Sequence, residues 1–353
     1  MSATEEIRRA VEDHGPLTFA EFMELALYGH GGYYERHPVG PHGDFVTSPH
    51  VHEVFARLLA RAALELWSTL ERPDPFLVTE CGAGDGTLAR ELCAGLAESP
   101  IRYAAVERSP GARVALAGIA DLVVSEELPA RAHLILGNEL LDNLPFRLFR
   151  ERREVRVGLE DGRLVEIYAP MESPAGPDPP DVPEYAYPEG AIGFLEQVAA
   201  VLQPGYALLI DYGFEGGTGR VHGYRAHRFV EDVLEDPGST DVTAGMDFSL
   251  LAEAAEGFGL ESFGTVSQRA ALLALGFEEW VTGELDRQRA LLDEGKGLEA
   301  VRAWGDRSRA TLLVDPAALG SLRWWLLASA GLPTPGWWRG ATRHDLGTRP
   351  PAD

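Results

Sequence analysis

Between residues 76 and 210 the sequence alternates short apolar segments with amphipathic ones. Strands are predicted at 76–80, 101–106, 122–125, 133–136 and 206–210, and helices near 87–96, 112–117 and 192–202. Strands that alternate with helices form a parallel sheet with helices on both faces. The alternation predicts an α/β fold and places ligands at the carboxyl ends of the strands.

A glycine-rich turn directly follows the first of these strands. Residues 80–87 read Glu-Cys-Gly-Ala-Gly-Asp-Gly-Thr and lead into a predicted helix. Glycine adopts backbone angles that other residues resist and lets the chain pass close under a ligand. The pattern predicts a nucleotide-type ligand held by five residues of the turn: Glu80, Gly82, Ala83, Gly84 and Gly86.

The details of the turn favour adenosylmethionine over NAD. Thr87 stands where a dinucleotide fingerprint has its third glycine. An acid at the strand end, Glu80, suits a sulfonium cation better than a pyrophosphate. The second strand ends at Glu107, which is placed to accept hydrogen bonds from the ribose hydroxyls.

Polar residues are also concentrated where the fourth strand ends. Asn138, Glu139 and Asp142 lie there, beside the expected position of the cofactor's methyl group. One interpretation is that these residues bind the substrate and that Asn138 also contacts the cofactor. The other is helix capping by Asn138 or Asp142.

Charge and composition exclude several classes of partner. The net charge of −24 argues against nucleic acid, whose phosphates would be repelled. The two cysteines and scattered histidines offer no metal-ligand set. No apolar run reaches the roughly 18 residues that a spanning helix needs, and the first residues resemble no leader sequence. We therefore predict a cytoplasmic protein without a membrane partner; the sequence gives no oligomeric state.

The predicted organisation has three parts. Residues 1–72 form an N-terminal helical extension with helices at 4–14, 18–27 and 52–70 and a Gly/Tyr-rich lid loop. Thr18 is predicted to cap the second helix in a capping box with Glu21. Residues 73–335 form the α/β domain, with insertions at about 147–190 and 213–247. The first insertion contains a hairpin turning at Asp161-Gly162, and the second covers the substrate. Residues 309–330 are predicted as strand, turn and helix, and 336–353 as a loose tail.

Several segments together resemble the MidA-like methyltransferases, whose mitochondrial members assist assembly of respiratory complex I. The resemblance covers roughly residues 15–330. It is carried by Gly32-Tyr33-Tyr34, Gly43-Asp44-Phe45-Val46-Thr47-Ser48-Pro49, the 80–88 turn, Asn138-Glu139 to Leu144-Pro145, Ile210-Asp211-Tyr212-Gly213, Asp241-Val242-Thr243-Ala244 and Asp247-Phe248.

The resemblance implies a Rossmann-like class I methyltransferase fold, S-adenosyl-L-methionine as methyl donor, and arginine dimethylation in the mitochondrial members. Phe45 and Thr47 of the lid loop are expected to contact the cofactor. The chain departs from the family at His50, where an acid is usual, and at Gly245, where a histidine is usual.

An arginine acceptor is protonated at neutral pH and needs carboxylates to orient it and accept a proton. We hypothesise that Glu139 orients the nucleophile and that Asp142 assists or caps the helix. Asp44, Asp211 and Tyr212 are secondary candidates for the site, and His222, His227 and Asp241 lie in the segment expected to cover the substrate.

Three functions remain open from the sequence. The first is a protein methyltransferase acting on an arginine, and the second is a small-molecule O-, N- or C-methyltransferase. The third is an assembly factor that binds adenosylmethionine without turnover. The tryptophans near the end of the chain, which are Trp324, Trp325, Trp337 and Trp338, are predicted to pack in the core rather than line a pocket.

Overall fold

The computed structural model describes residues 2–36, 47–119, 122–226 and 228–348. Its strands are β1 Leu17–Thr18, β2 Phe76–Cys81, β3 Ile101–Val106, β4 Val123–Ser125, β5 Ala132–Asn138, β6 Arg147–Arg150, β7 Arg153–Glu160, β8 Arg163–Pro170, β9 Glu184–Tyr187, β10 Leu202–Asp211, β11 Gly213–Phe214, β12 His222–Arg225, β13 Arg228–Val230, β14 Asp241–Thr243, β15 Met246–Asp247, β16 Leu260–Ser267 and β17 Arg323–Ser329.

Its α-helices are α1 Ala3–His14, α2 Phe19–Met23, α3 Tyr33–Arg36, α4 Ser48–Val51, α5 Val54–Thr69, α6 Thr87–Gly95, α7 Pro110–Leu116, α8 Glu189–Val201, α9 Phe248–Gly257, α10 Gln268–Ala274, α11 Phe277–Asp293, α12 Gly297–Ala310 and α13 Gly336–Thr348. A π-helical turn, Glu24–Tyr28, continues α2. None of the described helices combines the length and apolar character needed to cross a membrane.

The central sheet has seven strands in the order β16-β17-β10-β5-β2-β3-β4. Strands β10, β5, β2, β3 and β4 are parallel, as the sequence predicts. The sheet as a whole is mixed, because β17 runs antiparallel to both of its neighbours. One apolar cluster joins α5, α6, α10 and α13 to the sheet, and another joins α8 and α9 to it. The predicted α/β fold is confirmed.

A second sheet lies under the N-terminal helices. It has the order β1-β7-β6-β9, with β8 paired to β7. The predicted turn between β7 and β8 is present, with φ of 48° at Asp161 and 75° at Gly162. The predicted capping box is also present, since the Thr18 side chain accepts from the Glu21 amide and the Glu21 carboxylate from the Thr18 amide.

Two predictions for the end of the chain were wrong. Residues 309–330 do not run strand, turn, helix; instead α12 ends and two 3₁₀ turns lead into β17. The tail is not loose over 336–348, because these residues form α13. Trp338 is 1% exposed there and packs edge-on against Trp337. The prediction that the four tryptophans belong to the core is confirmed, since all are buried.

We expect Trp338→Ala to lower the free energy of unfolding by about 3–5 kcal/mol, because it empties a fully packed aromatic site. Trp304→Ala is the matched control: Trp304 is 55% exposed, and its loss should cost no more than about 0.5 kcal/mol. Urea unfolding of both variants gives the comparison. Equal stabilities would mean that α13 does not contribute to the folded core.

Candidate active site

A cavity of about 710 Å³ opens where the parallel strands end. Its walls come from the glycine-rich turn, the ends of β3 and β5, and the N-terminal helices. Nine acidic residues line it: Glu24, Glu35, Glu80, Asp85, Glu107, Glu126, Glu127, Glu139 and Glu189. The lining also includes His50 and Arg108. Such a cavity attracts cations.

The glycine-rich turn requires its glycines. Gly82, Gly84 and Gly86 have φ of 69°, 54° and 77°, where a β-carbon is strained. A Cβ on Gly82 would lie 2.9 Å from Leu140 Cδ1, and one on Gly86 would lie 2.6 Å from Ile119 Cδ1. The bare backbone therefore forms a close cradle at the start of α6, and Ala83 lines the cavity beside it.

Glu107 holds the turn against the end of β3. Its two carboxylate oxygens accept hydrogen bonds from the Gly84 and Ser109 amides, each at 2.8 Å. A carboxylate has about four acceptor positions, so both oxygens can accept a further bond from a ligand in the cavity.

Glu80 is 3% exposed at the end of β2 and also lines the cavity. Its Oε2 accepts a 2.8 Å hydrogen bond from the Tyr103 hydroxyl. Burial raises the pKa of Glu80 to about 8, although that hydrogen bond opposes the rise. A cation nearby would favour its charged form.

The turn after β5 carries the predicted catalytic residues. Glu139 has a φ of 52° and its amide donates to the Ile210 carbonyl at 2.7 Å. Its Oε1 accepts from the Ser48 amide at 3.3 Å and from Asn138 Nδ2 at 3.2 Å. Burial, followed by the charge of Asp142, raises the pKa of Glu139 to about 8. A non-glycine residue held in the left-handed region is strained, and such strain clusters at functional sites.

Asp142 and Asp211 form an acid pair next to Glu139, in which Asp211 is fully buried and Asp142 partly buried. Asp211 Oδ2 accepts from the amides of Leu141 at 2.6 Å and Asp142 at 3.3 Å. Asp142 Oδ2 accepts from the Thr243 hydroxyl at 3.0 Å. Burial raises the pKa of Asp211 well above its usual range, and the charge of Asp142 adds to the rise. Burial also raises the pKa of Asp142. The pair therefore favours a bound proton or a bound cation.

Asn138 and Thr47, both predicted to contact the cofactor, line the cavity. Asn138 Oδ1 is buried and has no hydrogen-bond partner among the described residues. Thr47 Oγ1 lies 2.8 Å from His50 Nδ1. Phe45, predicted to contact the cofactor, lies outside the described residues, as do Asp44 and His227.

The two departures from the family pattern occupy defined places. His50 Nε2 lies 3.1 Å from Asp85 Oδ2, so this histidine joins the lid segment to the glycine-rich turn. Burial opposes ionisation of Asp85, but hydrogen bonds from His50 and Thr87 outweigh it and lower the pKa. Gly245 lies under Phe214: a Cβ there would be 2.9 Å from Phe214 Cε2.

Tyr28, Tyr34 and Arg108 line the N-terminal wall of the cavity, and none of them was assigned a role from the sequence. The Arg108 guanidinium lies 4.1 Å from the centre of the Tyr28 ring, and Arg108 pairs with Glu24. The Tyr34 hydroxyl donates to Asp241 Oδ1 at 3.0 Å. Tyr34 and Asp241 belong to two of the motifs that carry the family resemblance. Membership in these motifs is the feature of the sequence that pointed to both residues. The pairing itself depends on tertiary contact.

Comparison with known proteins agrees with this geometry. A family model for S-adenosyl-L-methionine-dependent methyltransferases matches residues 58–266, more than half of the chain. The chain is 28% identical over 325 residues to a Bos taurus protein named "Protein arginine methyltransferase NDUFAF7, mitochondrial", covering 76% of this chain and 72% of that one. The Homo sapiens protein of the same name is 27% identical over 329 residues, covering 78% and 74%.

A solved structure is also similar. The crystal structure of a COG1565 superfamily member from Burkholderia thailandensis bound to S-adenosyl-homocysteine superposes with a TM-score of 0.77 at 26% identity. The match covers 94% of this chain and 93% of that one. The chain therefore belongs to the MidA-like family of class I methyltransferases and uses S-adenosyl-L-methionine as its methyl donor.

Proposed function

We propose that the chain transfers the methyl group to an arginine side chain of a protein. The observation that carries the proposal is a set of buried side-chain oxygens without a hydrogen-bond partner among the described residues: Asn138 Oδ1, Asp142 Oδ1 and Asn143 Oδ1. An unsatisfied buried acceptor costs about 1–3 kcal/mol. Asn138 and Asn143 line the cavity, and a guanidinium offers five N–H donors that would satisfy their oxygens there.

The names of the relatives support the same acceptor, since they are protein arginine methyltransferases. The acid-lined cavity favours a cationic acceptor over a neutral small molecule. The cytoplasmic location inferred from the sequence stays a prediction, and the relatives named mitochondrial do not support it.

The residues that we assign to the methyl donor suit a ligand that carries both a positive charge and a ribose. The backbone at Gly82, Gly84 and Gly86 provides the close cradle, and Glu107 is assigned to the ribose hydroxyls. Glu80 and Thr47 line the cavity beside the turn, and the carboxyl of Glu80 suits a positively charged group. The contact of Asn138 with the cofactor stays a prediction, because its free Oδ1 is assigned to the acceptor. When bound, S-adenosyl-L-methionine supplies an electrophilic methyl group on a sulfonium.

Glu139 is assigned to orient the acceptor and take its proton. Both hydrogen bonds to its carboxyl reach Oε1, which leaves Oε2 for the guanidinium. A bound guanidinium favours the carboxylate form of Glu139, whereas burial favours the neutral form. The carboxylate localises the electrons of one guanidinium nitrogen by accepting its N–H bond, and it accepts the proton that this nitrogen loses on methylation.

The acid pair is assigned to a supporting role. Asp142, held by Thr243, places a second acceptor beside Glu139. Asp211 fixes the backbone of the turn through its bonds to the Leu141 and Asp142 amides. The prediction that Asp142 acts as a helix cap gains no support, because the 3₁₀ turn Leu141–Asn143 has no side-chain cap.

We expect Gly82→Ala to weaken S-adenosyl-L-methionine binding at least tenfold, because the new methyl group meets Leu140 and alters the cradle. Gly162→Ala is the control: its φ of 75° imposes the same backbone strain, but no atom lies within 4 Å of the added Cβ. Calorimetric titration measures both affinities. An unchanged affinity in Gly82→Ala would remove the turn from the donor site.

At saturating S-adenosyl-L-methionine, we expect kcat/KM for the arginine peptide to rise about tenfold per pH unit up to about pH 8 and then level off, because the carboxylate of Glu139 is the active form and its pKa is about 8. Glu139→Gln should lower kcat at least a hundredfold and abolish this pH dependence. Glu127→Gln, an exposed acid on the same cavity, should leave the profile unchanged. Methylation of an arginine peptide, followed by mass spectrometry, gives the rates.

The thermal stability of Glu139→Gln shows whether a loss of activity in this variant comes from lost catalysis or from unfolding. A carboxyl whose pKa is raised by folding destabilises the fold as pH rises from about 4.5 through 8. The Tm of Glu139→Gln should therefore equal or exceed that of the wild type at pH 9. A pH profile retained in Glu139→Gln would rule out this residue as the base.

A further inference from the structure

We propose that a second cationic residue of the acceptor protein, close in sequence to the methylated arginine, stacks on an exposed aromatic face beside the active site. This face consists of His222, Tyr224 and Phe229 on the β12–β13 hairpin. The proposal rests on the proposed function, and it names the kind of segment that the site selects: one with two positive charges a few residues apart.

The three rings share one face of the small sheet β13-β12-β14. Tyr224 and Phe229 are directly paired across the hairpin, and His222 is two residues before Tyr224, so their side chains point to the same side. The rings of His222 and Phe229 stack at 5.2 Å with 20° between their planes. Tyr224 meets Phe229 edge-on at 6.2 Å.

This arrangement leaves Phe229 63% exposed. Three rings that stack on one another at the surface do not serve a core, and exposed apolar clusters of this kind mark interaction sites. The arginines of the hairpin do not share the face. Arg225 and Arg228 pair with each other on the opposite side, and Arg225 binds Glu235 and Asp236 there.

The aromatic face continues directly into the acids of the active site. On the neighbouring strand β14, Thr243 is paired with His222 and Asp241 with Tyr224. The Thr243 hydroxyl donates to Asp142, and Asp241 accepts from Tyr34. A single sheet face therefore carries aromatic rings at its outer edge and contacts to the catalytic acids at its inner edge.

The chemistry of this face fits a basic segment. Aromatic faces attract cations, and the planar guanidinium also stacks on them. The chain's net charge of −24 draws positively charged segments toward it. Phe229 lies two strands away from Asp241 in the same row of the sheet, which is roughly 10 Å at the usual strand spacing. An extended chain covers that distance in about three residues.

The probes are two labelled peptides in a glycine background. One has two arginines separated by two glycines, and the other has alanine in place of the second arginine. Their binding to the protein saturated with S-adenosyl-homocysteine is measured by fluorescence anisotropy. We expect the two-arginine peptide to bind about three- to thirtyfold more tightly than the one-arginine peptide.

This difference should disappear in Phe229→Ala. It should persist in two control variants: Phe229→Tyr, which keeps an aromatic ring, and Trp304→Ala, which removes an exposed aromatic residue of α12. Because Phe229 is largely exposed, thermal melts should show all three variants folded. No difference between the peptides in the wild type, or the same difference in Phe229→Ala, would overturn the proposal. So would a wild-type dimer that Phe229→Ala converts to monomer in sedimentation, because a second copy would then cover the face.

Methyl transfer to the same peptides tests the proposed function separately. A binding difference without methylation would retain the aromatic face as a docking site and refute arginine methylation. Methylation without a binding difference would retain arginine methylation and refute the docking site.

Discussion

The turn after β5 is held in place by the buried carboxyl of Asp211, and the reaction centre depends on that constraint. Asp211 is fully buried at the end of β10 and accepts the amides of Leu141, Asp142 and Tyr212. The neighbouring Ile210 carbonyl accepts the Glu139 amide. These bonds cross between two parallel strands and fix Glu139 in a backbone conformation that it would not otherwise adopt. A shift of this turn would displace both proposed catalytic carboxyls at once.

The acid-rich cavity offsets the electrostatic repulsion between the two cationic reactants of the proposed reaction. A sulfonium and a guanidinium are both cations, and at contact distance they repel each other strongly in a poorly solvated site. Burial raises the pKa of Glu80 and Glu139 to about 8, so these carboxyls can lose their protons when cations enter. The site therefore gains negative charge as positive charge arrives. This behaviour also explains how Glu80 and Glu139 can be held in a poorly solvated part of the protein.

The sequence was informative wherever the signal was local. The parallel strands, the Asp161-Gly162 turn, the capping box at Thr18 and the glycine-rich turn each follow from residues next to one another. The antiparallel strands β16 and β17 were missed. Both faces of β17 are buried, Trp324 in one apolar cluster and Trp325 in the other, so the strand lacks the alternation that marks a half-exposed strand. The pairing of His50 with Asp85 joins residues 35 positions apart, and that of Tyr34 with Asp241 joins residues 207 apart. Such contacts depend on tertiary packing, so the motifs indicated which residues matter but not what they touch.

The central claim is that Glu139 holds the acceptor nitrogen beside the methyl donor. A crystal structure of the protein with S-adenosyl-homocysteine and an arginine peptide tests it most directly. We predict a guanidinium nitrogen within about 3 Å of Glu139 Oε2, with further N–H groups on the free oxygens of Asn138 or Asn143. A guanidinium bound elsewhere, with water or another residue against Glu139 Oε2, would contradict it.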